Sequence, residues 1–295
     1  MKINVCFRCA ALVLIVLVEL VSGCRFGENL RQDRPRLAAG VVMRDVTFYS
    51  AALGREMPYR VLLPEMRAGR KFPVVYLLHG NGGDFHDWSN QSDVAQYAAR
   101  GLILVMPEGH SSYFLNAAEK PKDRYEDYLV HDLTADVEAR FPAQRNRTGR
   151  ALVGVSMGGF AAAKIAFSHP DEYVFVGALS PPIDVPKRKF TWKRAGQWWG
   201  FRSIFGPMDS PERKDRDPFE LAKLADTRAT PYIYLTAGEQ EPLLEPDRRF
   251  AARLQQRGFA FSFHTMPGGH DWGEWDRQIP GCFAGLFHFM AVGTV

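Results

Sequence analysis

The chain has 295 residues, 46% of them hydrophobic, and carries a formal net charge of +4. That length suits one full α/β domain with a sizeable core, and the scattered Gly and Pro exclude long disorder. Basic and acidic residues interleave throughout without a one-sided stripe, so nucleic-acid binding is not expected.

In chain order, Lys2 and Arg8 precede the apolar run AALVLIVLV (10–18), and LVSGC (20–24) follows. This is the charged, apolar and small-residue pattern of an export signal over residues 1–23, and the run is short for a membrane span. VSGC resembles a bacterial lipobox, which implies lipid attachment at Cys24 and location in the bacterial cell envelope. Ordinary signal cleavage and an uncleaved anchor are the alternatives, and Glu19 departs from the usual apolar segment. Removal of Cys6 and Cys9 with the signal leaves Cys282 alone, so no intrachain disulfide competes for Cys24. Residues 24–40 are polar and Arg-rich and read as a tether, with the catalytic domain over 41–295.

Short β-branched or aromatic runs then predict strands at 41–49, 59–63, 73–79, 102–106, 150–155, 173–180, 232–237 and 259–266. Those around 75, 104, 152 and 234 are apolar without alternation, as expected of parallel strands covered on both faces. Helical patterns occupy 92–100, 125–141, 157–169 and 247–258, the last stopping at Gly258 with Asp247 as N-cap. The alternation predicts an α/β protein with a mostly parallel sheet of about eight strands and helices on both faces. Residues 181–230 interrupt it as an excursion of about fifty residues between strands 6 and 7, too long for a plain crossover. Its Trp192, Trp198 and Trp199 read as core residues of the excursion, with lining of a substrate mouth as the alternative. The run RKDRD (213–217) reads as a solvated loop.

ALVGVSMGGF (151–160) contains the pattern G-x-S-x-G between an apolar strand and an Ala-rich helix. There Ser156 would occupy a sharp strand-to-helix turn that exposes its hydroxyl, with Gly154 and Gly158 leaving room for close packing. A serine hydroxyl is a weak nucleophile unless a base takes its proton. Of eight histidines, His270 in the Gly-rich loop MPGGHDW follows the last predicted strand and is the candidate base. His264 lies inside a strand and reads as structural, while His131 and His169 lie on helices, positions that suit surface or packing roles. His86, His110 and His288 have no comparable context. HGNGG after the third strand is where a second oxyanion amide would come from, which points to the N–H groups of Asn81 and Met157. Neither His nor Cys shows metal-ligand spacing, the Gly-rich loop lacks the phosphate-loop lysine, and acyl transfer to water needs no cofactor.

Taken together, LLHGNGGDFHDW, MPEGHSSYF, YEDYLVHDL, GVSMGGFAAAKIAFSHPDEY, FGP…DPFELA and MPGGHDW resemble the esterase D-like family of α/β hydrolases across residues 41–290. That family includes secreted feruloyl and acetyl esterases, S-formylglutathione hydrolases and antigen 85 mycolyltransferases. The resemblance implies the α/β-hydrolase fold, a cap-like insertion at 181–230 and a Ser–His–acid relay. It puts the acid in AGEQEPL (237–243), where Glu241 stands at the usual aspartate position. Glu239 and Glu245 read as exposed charges. The implied function is an exported serine ester hydrolase acting on a small or polysaccharide-linked ester. A mycolyltransferase-type acyltransferase and a silent ligand-binding lipoprotein are the alternatives.

Overall fold

The computed structural model describes residues 32–189 and 195–290, with the side chains of 195–199 excepted. The chain divides into two compact units, Met1–Asp33 and Arg34–Val295, and the sheet belongs to the second. The signal segment, Cys24 and Trp192 lie outside the described residues, as do the side chains of Trp198 and Trp199.

The eight predicted strands are all present: β1 (Val42–Ser50), β2 (Arg55–Leu63), β3 (Val74–Leu78), β4 (Ile103–Pro107), β5 (Arg150–Val155), β6 (Phe175–Leu179), β7 (Tyr232–Gly238) and β8 (Phe261–Met266). They form one sheet in the order β1-β2-β4-β3-β5-β6-β7-β8. The first two pair antiparallel and β4 through β8 are parallel. β3, β4 and β6 are buried at every residue, which accounts for their unbroken apolar sequence. The edge strand β1 instead shows repeated exposure.

The helices are α1 (Asp87–Gln91), α2 (Ala95–Ala99), α3 (Tyr125–Asp127), α4 (Thr134–Arg140), α5 (Met157–Ser168), α6 (Ala195–Phe205), α7 (Pro211–Lys214), α8 (Pro218–Leu224), α9 (Leu244–Arg257) and α10 (Trp272–Phe289). Successive β3 side chains face opposite ways. Val74, Tyr76 and Leu78 join the core that holds Phe160 of α5 and Phe250 of α9. Val75 and Leu77 join a second core with Trp88 of α1, Tyr97 of α2, and Phe283 and Leu286 of α10. Helices therefore cover both faces, as expected.

Three expectations are corrected. Asp247 does not cap α9, which begins at Leu244. It sits inside the first turn, fully buried. The 213–217 run is not a solvated loop, because Arg213 and Asp217 are buried, and Asp217 caps α8 through the Phe219 amide at 2.9 Å. Helix α10 was not expected because Pro280 and three glycines interrupt its pattern. Its packing overrides propensity: Cys282, Phe283 and Leu286 are buried, and Gly281 lets the helix approach the Tyr234 hydroxyl, where an added Cβ would lie 2.7 Å away.

β3 and β5 are neighbours although β4 intervenes in sequence, so the chain leaves this point of the sheet in both directions. Ligand crevices of open α/β sheets form at such a switch, beyond the carboxyl ends of the strands. His79 and Ser156 each follow directly from one of these two strands.

Candidate active site

Ser156 occupies the turn between β5 and α5 with φ +51° and ψ −116°, a conformation that side chains rarely adopt. The turn persists because its surroundings leave one solution. Ser156 N–H donates to the Leu179 carbonyl at 2.8 Å, and its own carbonyl accepts from Phe160 N–H at 2.9 Å. A Cβ on Gly154 would lie 2.2 Å from the Gly158 carbonyl carbon, and one on Gly158 would lie 2.4 Å from the Leu78 carbonyl oxygen. Only glycine fits at either position. The strain at Ser156 is thus held by close backbone packing on both sides.

The His270 loop is joined to the turn after β7 by Glu239 N–H to Met266 O at 2.8 Å and Gln240 N–H to Gly268 O at 3.0 Å. This brings Glu241 Oε2 to 2.9 Å from His270 Nδ1, while His270 Nε2 stands 2.8 Å from Ser156 Oγ. A carboxylate only accepts, so Nδ1 carries the proton and donates to Glu241. Nε2 is then free to accept from the Ser156 hydroxyl. Glu241 is buried, and its second oxygen accepts from Ser180 Oγ at 2.6 Å and from Gly238 N–H at 3.0 Å. Three donors therefore fix this carboxylate.

The amide of Met157 opens α5 and that of Asn81 follows Gly80; neither donates to a carbonyl among the described residues. Gly80 runs beside the nucleophile, where an added Cβ would lie 3.5 Å from Ser156 Cβ. His79 is buried. Its Nδ1 donates to Gly80 O at 2.8 Å and its Nε2 accepts from Gly109 N–H at 3.0 Å. With the Gly80 carbonyl held by His79, the trans peptide turns the Asn81 N–H to the opposite side. The structure therefore brings Ser156, His270, Glu241, Asn81 and Met157 to one end of the sheet.

The other histidines sit elsewhere. His264 is exposed and stacks on Tyr234 with centroids 4.7 Å apart. His169 caps α5 and contacts Glu126 at 2.8 Å, and His131 is exposed. His86 pairs with Asp84 and His110 with Glu108, each at 3.0 Å, while His288 packs on Phe289. Glu239 and Glu245 are exposed.

Several contributors were not singled out in the sequence. Ser180, with φ +48°, ends β6 and holds Glu241. Its only sequence signal is a polar residue closing an apolar strand. Trp275 meets the His270 ring edge-to-face, with centroids 5.0 Å apart. Tyr113 (φ +58°) donates its N–H to Met157 Sδ at 3.4 Å and packs on Phe160, Phe201 and Phe205. That contact ties α6 of the excursion to the residue carrying one of the two free amides.

The family described as "Putative esterase" matches residues 50–286. The chain belongs to this esterase family. An acetyl esterase of Caldicellulosiruptor saccharolyticus is 25% identical over 259 residues, covering 82% of this chain and 97% of that protein. Esterase Rv1288 of Mycobacterium tuberculosis is 28% identical over 251 residues, covering 76% of this chain; the chain spans about half (54%) of that longer relative. Among solved structures, the Staphylococcus aureus serine hydrolase FphF superposes with a TM-score of 0.73 at 22% identity, covering 83% of this chain and 98% of that one. The fold is that of the α/β hydrolases.

Proposed function

We propose that this esterase-family chain is an exported serine carboxylic ester hydrolase working through an acyl-enzyme. The observation that carries the reading is the unbroken relay from Glu241 through His270 to Ser156, at 2.9 and 2.8 Å, beside two unengaged amides. In this mechanism Ser156 Oγ attacks the ester carbonyl carbon while His270 Nε2 takes its proton. The carbonyl oxygen becomes an oxyanion held by the amides of Asn81 and Met157, each such donor contributing about 2.7–4 kcal/mol. His270 then protonates the departing alcohol, and Ser156 keeps the acyl group. Water attacks that acyl-serine with His270 again as base, releasing the acid and restoring the serine. Glu241 orients the imidazole and stabilises its positive form without itself taking the proton.

The His270 side chain is 34% exposed. Water can therefore reach the base directly, as release of the acyl group requires. The similarity to an acetyl esterase favours a small acyl group. The lipobox-like VSGC motif supports export and lipid attachment at Cys24, which would hold the catalytic domain at the cell envelope.

Hydrolysis of 4-nitrophenyl acetate by the full chain, measured beside Ser156→Ala, tests the chemistry; equal rates for the two proteins would sink it. Envelope fractionation of Cys24→Ala tests the anchor, and an unchanged membrane fraction would count against lipidation.

A further inference from the structure

The excursion that follows β6 borders an open cavity of about 290 Å³, whose walls include Pro186, Lys189, Met208, Arg213 and Lys214. Arg213 is its unusual member. Its side chain is buried, yet its guanidinium donates only to neutral atoms. These are Gly206 O at 2.9 and 2.6 Å, Pro186 O at 3.1 Å and Met208 Sδ at 3.0 Å. Among the described residues no carboxylate lies within ion-pair reach of it. A buried charge without a counter-charge is costly, and carbonyl dipoles offset only part of that cost.

Beyond ion-pair range the charges of Asp209 and Glu119 support that of Arg213, and Arg202 opposes it. Asp217 caps the Phe219 amide at 2.9 Å and faces Lys187 at 3.5 Å. Glu220 is taken by Lys223 at 2.6 Å and by Lys187 at 3.7 Å. The lining as a whole sets Lys187, Lys189, Arg213 and Lys214 against Asp209, Asp217 and Glu220, a surplus of one positive charge, and both Asp217 and Glu220 face Lys187. Lys189, Lys214 and Asp209 have no ion pair among the described residues and are exposed to solvent.

The cavity shares a wall with the triad. Ser180 holds Glu241, and six residues later the Pro186 carbonyl is held by Arg213. Between them Asp184 pairs with Arg188 at 2.7 Å. The Arg188 charge acts on the Tyr113 hydroxyl and the Asp247 carboxyl, which border the active site. The same short segment thus supports the acid on one side and lines the cavity on the other.

We propose that this cavity binds the carboxylate of an acidic saccharide that carries the ester, gripping the substrate at a unit remote from the scissile bond. A concave pocket of this volume suits one sugar unit rather than a flat membrane surface. A carboxylate would complete the charge balance of Arg213 and meet the ammonium groups of Lys189 and Lys214. Binding energy gathered at a remote unit can be used to position the ester carbonyl at Ser156. The inference rests on the esterase reading for its role in turnover, but not for binding itself.

The test is calorimetric titration of trigalacturonate into the full-chain Ser156→Ala protein, with maltotriose as the neutral control. Trigalacturonate should bind and maltotriose should not. Adding Lys189→Glu and Lys214→Glu, both exposed and without an ion pair among the described residues, should weaken binding by about tenfold or more. With Ser156 intact, the ratio of kcat/KM for acetylated polygalacturonate over acetylated glucomannan should exceed one and fall in Lys189→Glu/Lys214→Glu. Several results would overturn the proposal: no trigalacturonate binding, equal binding by the charge-reversed protein, binding of inorganic phosphate alone, or capture by phosphatidylglycerol vesicles alone. Binding as expected in a protein that cleaves no ester would instead sink the esterase reading and leave the cavity assignment standing.

Discussion

Replacing Asp247 by Asn should stabilise the protein as pH rises. Asp247 is fully buried in the first turn of α9, and neither carboxyl oxygen has a hydrogen-bond partner among the described residues. Burial pushes its pKa well above the usual range. The nearby negative charges of Glu241 and Asp184 act in the same direction, and Arg188 opposes them. An acid whose folded pKa is raised keeps its proton in the native state after the unfolded chain has released it. In the unfolded chain that release is centred near pH ~3.9, so above it stability falls by about 1.4 kcal/mol per pH unit, until the folded group also ionises. Each pH unit over which the folded group keeps its proton therefore takes a sizeable share of the ~5–15 kcal/mol that holds a typical domain together. Asparagine keeps the size and polarity but cannot ionise, so it removes the pH dependence while leaving any fixed packing cost unchanged. Urea unfolding of both proteins at pH 5, 6 and 7 reads the difference directly. The Asn variant should gain on the wild type at each step, by up to about 1.4 kcal/mol. A difference that stays constant with pH, or that grows in favour of the wild type, would mean that Asp247 is ionised in the native protein and would refute the reasoning.

Glu241→Gln should lower turnover of 4-nitrophenyl acetate by on the order of 10³–10⁴-fold, since the imidazole loses the carboxylate that fixes its tautomer, whereas exposed Glu239→Gln should be nearly silent. The reverse outcome would place the acid at the wrong glutamate. Gly158→Ala should destabilise the fold by about 1–3 kcal/mol or prevent folding, because the new methyl meets the Leu78 backbone; a thermal scan matching wild type would contradict it. Buried Glu126 has its carboxyl pulled down to about 2, with His169 and Lys164 outweighing the opposing burial. A depressed folded pKa gives stability that is present above the unfolded value and lost as pH falls through the folded one. Acid unfolding between about pH 4.5 and 2 should therefore remove roughly 3 kcal/mol in the wild type and much less in Glu126→Gln.

The sheet was legible in the sequence because strand signals are local. Unbroken apolar runs mark β3 and β4, and each is covered on both faces. The turn at Ser156 is legible for a related reason. Its two flanking glycines are required by contacts within a few residues and one adjacent strand, so the constraint is written into a five-residue pattern. Helix α10 lacks such a signal. What stabilises it is its burial against β6 and β7, elements that end more than thirty residues earlier in the chain, and Pro280 conceals it locally.

The acids show where local reading stops. Asp247 carries the signature of an N-cap, a short polar residue at the start of a helical pattern, but capping depends on where the first turn begins. The helix starts three residues earlier, at Leu244, which rotates Asp247 inward and leaves its carboxyl to be neutralised by a proton. Glu241, six residues upstream, has an equally buried carboxyl with the opposite surroundings. Ser180, the Gly238 amide and His270 supply its hydrogen bonds, two of them from segments 29 and 61 residues away. Both residues are acids in the same short stretch, EPLLEPD, and composition cannot distinguish them. The difference lies in the number of donors aimed at each: among the described residues, three at Glu241 and none at Asp247. That difference is what allows one carboxylate to face an imidazole while its neighbour holds a proton, and it exists only once β6, β7 and the His270 loop have converged.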